Sequence, residues 1–284
     1  MDWGAHENCC CVIVGCQHCK PIFLWKKIFI YFVGCSKCKK QFPRIPTENG
    51  GQKPDYSGFE RDSWTPRTGR EHKESAARTK AAKTDAERSN LESAGVRWTE
   101  LFRLDYFCPI QNHLIDPLHC LYLGIAKTMT KHYLKTELIS KQHLDDIQVK
   151  MNEIRAPNTV GRIPQKIASG FSSFTADQWK NWTLVYSSSV LRDILDKKHY
   201  RVWMMFVNVV RMLTKKIVCL TDIRQADQLL VCFCKEVEKL YGAEFIKPNF
   251  HMACHLVKVM EEYGPVYSFW CYSFERWVLV DGRI

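Results

Sequence analysis

From Asp116-Pro117 to Gly264-Pro265 apolar side chains recur at helical spacing, and this pattern constrains the chain more than any other feature. Asp116-Pro117 opens one helix, with Leu118, Leu121, Tyr122, Ile125 and Met129 on its stripe. Leu144, Ile147, Met151 and Ile154 mark a second, ended by Pro157. Thr175 and Gln178 make a capping-box pattern ahead of Trp179, Trp182, Tyr186 and Val190. His199 to Val218 is apolar nearly all round and reads as a buried helix. Leu229, Phe233, Val237 and Leu240 define the next, stopped by Gly242. Another starts at Pro248, and an aromatic segment then runs to Trp277.

The rest of the chain is patterned differently. Residues 1 to 44 hold seven of the fourteen cysteines, residues 43 to 69 are a Pro- and Gly-rich loop, and residues 70 to 94 form a helix-friendly stretch poor in large apolar residues. Phe107 to Ile115 reads as a short strand. With 284 residues, 46% hydrophobic and 25% charged, the chain can bury a sizeable core, which excludes wholesale disorder and collagen-like, coiled-coil or multi-span membrane classes. The run at 21 to 33 is shorter than the roughly 20 residues a spanning helix needs and carries Lys26 and Lys27, so no membrane is expected. No secretory leader pattern opens the sequence, so the cysteines are read as reduced, in cytosol or nucleus. A formal net charge of +11 favours an acidic partner such as nucleic acid.

Phosphate-cradle, dinucleotide and nucleophile-elbow motifs do not occur. His251 and His255 have the spacing of one helix face, but Met252 stands where a zincin needs Glu, so they read as a satisfied histidine pair. Cys16-Gln-His-Cys19 and Cys35-Ser-Lys-Cys38 match a zinc-ribbon template, because each C-x-x-C turn offers two sulfurs to one tetrahedral ion. The stretch between the pairs is apolar, unlike a ribbon hairpin, and buried free cysteines are the alternative. Asp116 has the setting of a helix N-cap, but His119 on the same first turn gives it a metal-binding or acid/base edge. Glu275 lies among aromatics, where a carboxylate is costly unless paired or ligating.

Five stretches carry a resemblance: GCSKCKKQFP (34 to 43), DYSGFERDSW (55 to 64), PIQNHLIDPLHCLYLGIAK (109 to 127), GRIPQKIASGFSSFTADQWKNW (161 to 182) and YGPVYSFWCYSFER (263 to 276). Together they resemble the transposase of CACTA-type cut-and-paste DNA transposons. The resemblance implies an α/β, ribonuclease-H-like fold interrupted by a largely helical insertion, with carboxylates holding Mg or Mn for phosphoryl transfer on DNA. Asp116 then matches the second carboxylate, His119 the histidine following it, and Glu275 the third. The domain expectation is a Cys-rich leader at 1–33, a ribonuclease-H-like part at 34–129, the insertion at 130–247 and a catalytic-helix region at 248–284.

The family's first aspartate precedes the GCSKC motif, yet no Asp lies between Trp3 and Pro54. An incomplete fold, truncated at both ends and inactive alone, is therefore expected. The partner is DNA, at transposon ends, with Arg162 and Lys166 of GRIPQK as first contacts; a homo-oligomer is admissible and the nucleus is the expected compartment. The alternative is an interaction protein stabilised by structural zinc and without nuclease function.

Overall fold

The computed structural model describes residues 35–47, 50–92, 94–155, 160 and 167–272, and the backbone of 13–16 and 19–23. Its strands form two short antiparallel pairs, β1 (Ile13–Cys16) with β2 (Cys19–Phe23) and β3 (Arg44–Pro46) with β4 (Gln52–Pro54). Among the described residues, everything else of regular structure is helical. The helical content is compatible with the expected helical insertion, whereas no sheet among the described residues exceeds two strands, so the expected α/β, ribonuclease-H-like sheet is not seen among them. The chain divides into two compact units, one running to Asp116 and resumed at Cys234–Gly264, the other comprising Pro117–Phe233 and the residues from Pro265.

The strand expected over 107–115 is instead a chain of turns. Pro109 has no N–H to give a ladder, and Asn112 closes the segment on itself. Its side chain accepts from the Cys108 N–H at 2.6 Å while its own N–H donates to the Cys108 carbonyl at 2.8 Å. Local hydrogen bonds of this kind satisfy a backbone that would otherwise need a partner strand.

In the first unit α1 (Gly69–Ala81) starts at a capping box between Thr68 and Glu71, and α2 (Asp85–Glu92) follows. The polar stretch is two helices because Thr84 accepts from the Glu87 N–H and Glu87 from the Lys83 N–H, which installs a second start. Only His72, Ala76 and Thr79 of α1 are buried, so this helix contributes little to the core. The core is instead built from Phe42, Phe59, Trp64, Phe250, Leu256 and Met260. The last three come from α9 (Pro248–Ala253) and α10 (Leu256–Tyr263), the second of which ends at Gly264 with φ 83°, a left-handed backbone that suits glycine.

The second unit carries the helical stripes. A helix π-wound over Leu118–Ala126 continues as α3 (Lys127–Lys135), followed by α4 (Lys141–Glu153), α5 (Ala176–Asn181), α6 (Ser187–Val190) and α7 (Lys197–Leu213). The capping box at Thr175 and Gln178 forms as the sequence implies. Trp179, Trp182, Tyr186 and Val190 are all buried, as are Tyr122, Tyr133 and Trp203. Trp203 donates its indole N–H to Ser187 Oγ at 2.9 Å, so this buried donor is satisfied inside the core. α7 buries one broad face and exposes Arg201, Asn208 and Arg211, which corrects the expectation of burial nearly all round. In α8 (Leu220–Tyr241), residues to Phe233 count in this unit and those from Cys234 in the first.

Candidate metal centre

Cys35 and Cys38 stand on a tight knuckle of the first unit. The Lys37 N–H donates to Cys35 Sγ at 3.3 Å, and the Cys35 N–H donates to the Lys40 carbonyl at 3.2 Å. The knuckle is bound to residues 65–67: Lys39 N–H donates to the Thr65 carbonyl at 2.9 Å and Arg67 N–H to the Lys37 carbonyl at 3.1 Å. The Arg67 guanidinium, itself buried, donates to the carbonyls of Cys35 at 3.0 Å, Cys38 at 3.2 Å and Ala94 at 2.8 Å. Lys37 reaches the carbonyls of Ile110 and His113, which ties the knuckle to the turns before Asp116.

Facing it are His251, on α9, and His255, the residue that precedes α10. The two do not share one continuous helix, because the chain turns at Cys254 between them. That turn aims both Nε2 atoms at the thiols. His251 Nε2 lies 3.6 Å from Cys38 Sγ, His255 Nε2 3.5 Å from Cys35 Sγ, and the two nitrogens 3.2 Å from each other. The four ligand atoms all lie within 4.8 Å of one another. The reading of the histidines as only a satisfied pair is therefore corrected: each also meets a thiol from the other end of the sequence.

These distances can be compared with the edges of a tetrahedron. Zinc bonds of about 2.3 Å to sulfur and about 2.05 Å to nitrogen, at tetrahedral angles, put ligand nitrogens about 3.3 Å apart and a sulfur about 3.6 Å from a nitrogen. The observed 3.2, 3.5 and 3.6 Å fit those edges. With two sulfurs and two nitrogens the set closes a four-coordinate site, leaving no position for water or substrate, which is the character of a structural centre.

The protonation states suit a metal. Burial is the main reason His251 titrates lower than usual, at about 4, so its imidazole is neutral at pH 7. The two thiols share a proton: burial pushes Cys35 up, while hydrogen bonding from Cys35, and then from the two histidines, holds Cys38 well below the usual thiol range. A Cys2His2 ion site needs neutral imidazoles and thiolates, and the fold itself favours two of these forms, the neutral His251 imidazole and the Cys38 thiolate, while Cys35 has to give up its proton to the ion. His251 Nδ1 is buried without a hydrogen-bond partner among the described residues. The ring is oriented by packing instead, with Trp64 at 4.2 Å and Phe42 at 5.0 Å between centroids. Lys40 Nζ sits 4.9 Å over the Trp64 ring.

The remaining sequence candidates fall out as follows. The side chains of Cys16 and Cys19 lie outside the described residues, although their backbones pair in β1 and β2. Glu275, Arg162 and Lys166 also lie outside the described residues. Asp116 closes the first unit and is fully buried. His119 lies on the π-wound helix of the second unit, where its imidazole comes within 4.8 Å of the Cys271 thiol. The expected Mg or Mn site needs Asp116 with Glu275 and is not assembled by described residues. What the sequence alone does not reveal is the ligand role of His251 and His255, whose H-x3-H spacing was the available signal.

Comparison of the chain with family models, with curated proteins and with solved structures finds no match. Fold and site therefore define a class rather than a family: a largely helical protein whose first unit brings together a Cys2His2 cluster able to hold a structural metal such as zinc. No helix among the described residues is long and apolar enough to cross a membrane.

Proposed function

We propose that Cys35, Cys38, His251 and His255 hold one structural zinc ion, and that the unit they close belongs to a transposase-like, DNA-handling protein. The observation that carries the zinc assignment is the match of the three contact distances to the edges of a tetrahedral S2N2 site. The transposase reading rests on the resemblance, whose first motif supplies Cys35 and Cys38 and whose third supplies Asp116 and His119. In this reading the centre shapes the protein and takes no part in chemistry, because its four ligands fill the coordination sphere.

The same reading makes the protein DNA-binding and nuclear in location, with helical content compatible with the insertion of a ribonuclease-H-like fold. Phosphoryl transfer with Mg or Mn would use Asp116 and Glu275, and no Asp occurs between Trp3 and Pro54 to complete a triad. Strand transfer on supercoiled DNA with Mg²⁺ or Mn²⁺ should be absent, while duplex binding weakens as salt rises. Activity that disappears in Asp116→Asn would overturn the inactivity. One zinc per chain without salt-dependent DNA binding would leave a zinc-stabilised interaction protein, the reading that the closed coordination sphere favours on its own.

A further inference from the structure

The second unit exposes an apolar and aromatic edge that its own core does not use. At the turn between α7 and α8, Ile217 is 89% exposed and Leu220 58%, beside Lys215 and Lys216. Tyr267, 41% exposed, stands at the foot of this turn, donating its hydroxyl to the Thr214 carbonyl at 2.6 Å. Trp270 packs on Tyr267 at 4.2 Å and on Tyr272 at 4.7 Å, both edge-on. Tyr272 is fixed at its far end, its hydroxyl donating to the Ala176 carbonyl at 3.1 Å, and Lys180 lies 4.7 Å over its ring.

Three aromatic rings are thus held in order by two backbone hydrogen bonds, next to an aliphatic tip projecting into water. Contiguous exposed apolar groups of this kind mark an interaction surface. Charge selects the partner: between residues 211 and 224 stand Arg211, Lys215, Lys216 and Arg224 against Asp222 alone. Rings of fixed orientation beside an excess of cations suit stacked bases joined by phosphates. Duplex DNA hides its base faces, so the complementary form is a single strand.

The geometry points to the Tyr267–Trp270–Tyr272 edge, with Ile217 and Lys216, as a binding platform for single-stranded nucleic acid. This rests on the proposed function only in taking nucleic acid as the partner, and it owes nothing to the metal centre. Bases would pack on the exposed parts of Tyr267 and Trp270 and against the Ile217 tip, while Lys216 meets the backbone phosphates. The rings are already ordered, so little side-chain freedom is lost on binding.

The test is fluorescence anisotropy of the full-length chain with a labelled oligothymidylate of about 20 nucleotides, against duplex DNA of equal length and against phosphatidylserine vesicles. The single strand should bind more tightly than the duplex, and Trp270→Ala should weaken it about 5- to 100-fold, the effect of losing one stacked base. Trp270 is half-buried, so Ile217→Asp, at an exposed position, provides a variant that leaves the core untouched and should also weaken binding at least fivefold. Lys216→Ala should flatten the salt slope by about 0.7. Single-strand affinity within twofold of the parent in both Ile217→Asp and Lys216→Ala overturns the platform, as does preference for vesicles. Salt-dependent duplex binding that these variants do not alter overturns the platform and leaves the DNA-handling reading standing; binding of neither nucleic acid removes both.

Discussion

Withdrawing the metal should cost the first unit a large part of its stability, and the loop it closes sets the magnitude. Cys38 and His251 are 213 positions apart in sequence, and Cys35 and His255 are 220 apart. Treated as a cross-link, a clip over such a loop removes about 5 kcal/mol of chain entropy from the unfolded state. That is comparable to the whole stability of an ordinary domain, about 5–15 kcal/mol. For a unit of this size it corresponds to a melting temperature lower by about 10–20 °C. Differential scanning calorimetry of the full chain, with and without a high-affinity chelator, reads this directly. Cys38→Ser should reproduce the loss without chelator, while the exposed Cys232→Ser should melt like the parent. Identical melting with and without chelator, in a sample shown to carry zinc beforehand, would refute the reasoning, because the ion would then bind the unfolded chain as well as the folded one.

Three further outcomes are expected. Burial, helped by Arg67 and Lys37, lowers His72 to about 4 from the ordinary value near 6.5, so the unfolded chain binds its proton first as pH falls. His72 therefore contributes fully above pH 6.5 and loses its contribution, roughly 3 kcal/mol, as pH falls from 6.5 to 4; chemical denaturation across that window should show a shallower slope in His72→Gln. Trp64→Ala removes the ring packed on His251 and should lower metal affinity about 10- to 100-fold in competition with a chromophoric chelator, a fall that His251 held by other means would not show. Thr175→Ala deletes the cap that accepts from the Gln178 N–H and should cost the second unit about 1 kcal/mol in urea melts, with metal content unchanged.

Legibility in the sequence followed the range of the interactions. The Thr175 capping box, the burial of Trp179, Trp182 and Tyr186, and the stop of α8 at Gly242 all depend on residues within a few positions, and periodicity reveals them. Phe107 to Ile115 misled because its apolar content suits a strand, while Asn112 and Pro109 supply turn chemistry that outweighs it. Of the metal centre, the C-x-x-C half was visible. Its partner was sought in Cys16 and Cys19, because zinc templates place their halves close in sequence, whereas here the histidines arrive from the far side of an inserted unit. Met252 in place of a zincin glutamate removed a catalytic reading of His251 and His255 but was silent on a structural one. Only folding, which brings α9 and the turn at Cys254 against the knuckle, joins the two halves.

Zinc K-edge absorption spectroscopy on the purified full chain, paired with metal quantification, tests the centre most directly. The account predicts one zinc per chain with two sulfurs at about 2.3 Å and two nitrogens at about 2.0–2.1 Å. Four sulfurs would restore the Cys16, Cys19, Cys35 and Cys38 ribbon and contradict the Cys2His2 assignment. Failure to bind zinc in a folded, reduced chain supplied with the ion would contradict the centre altogether.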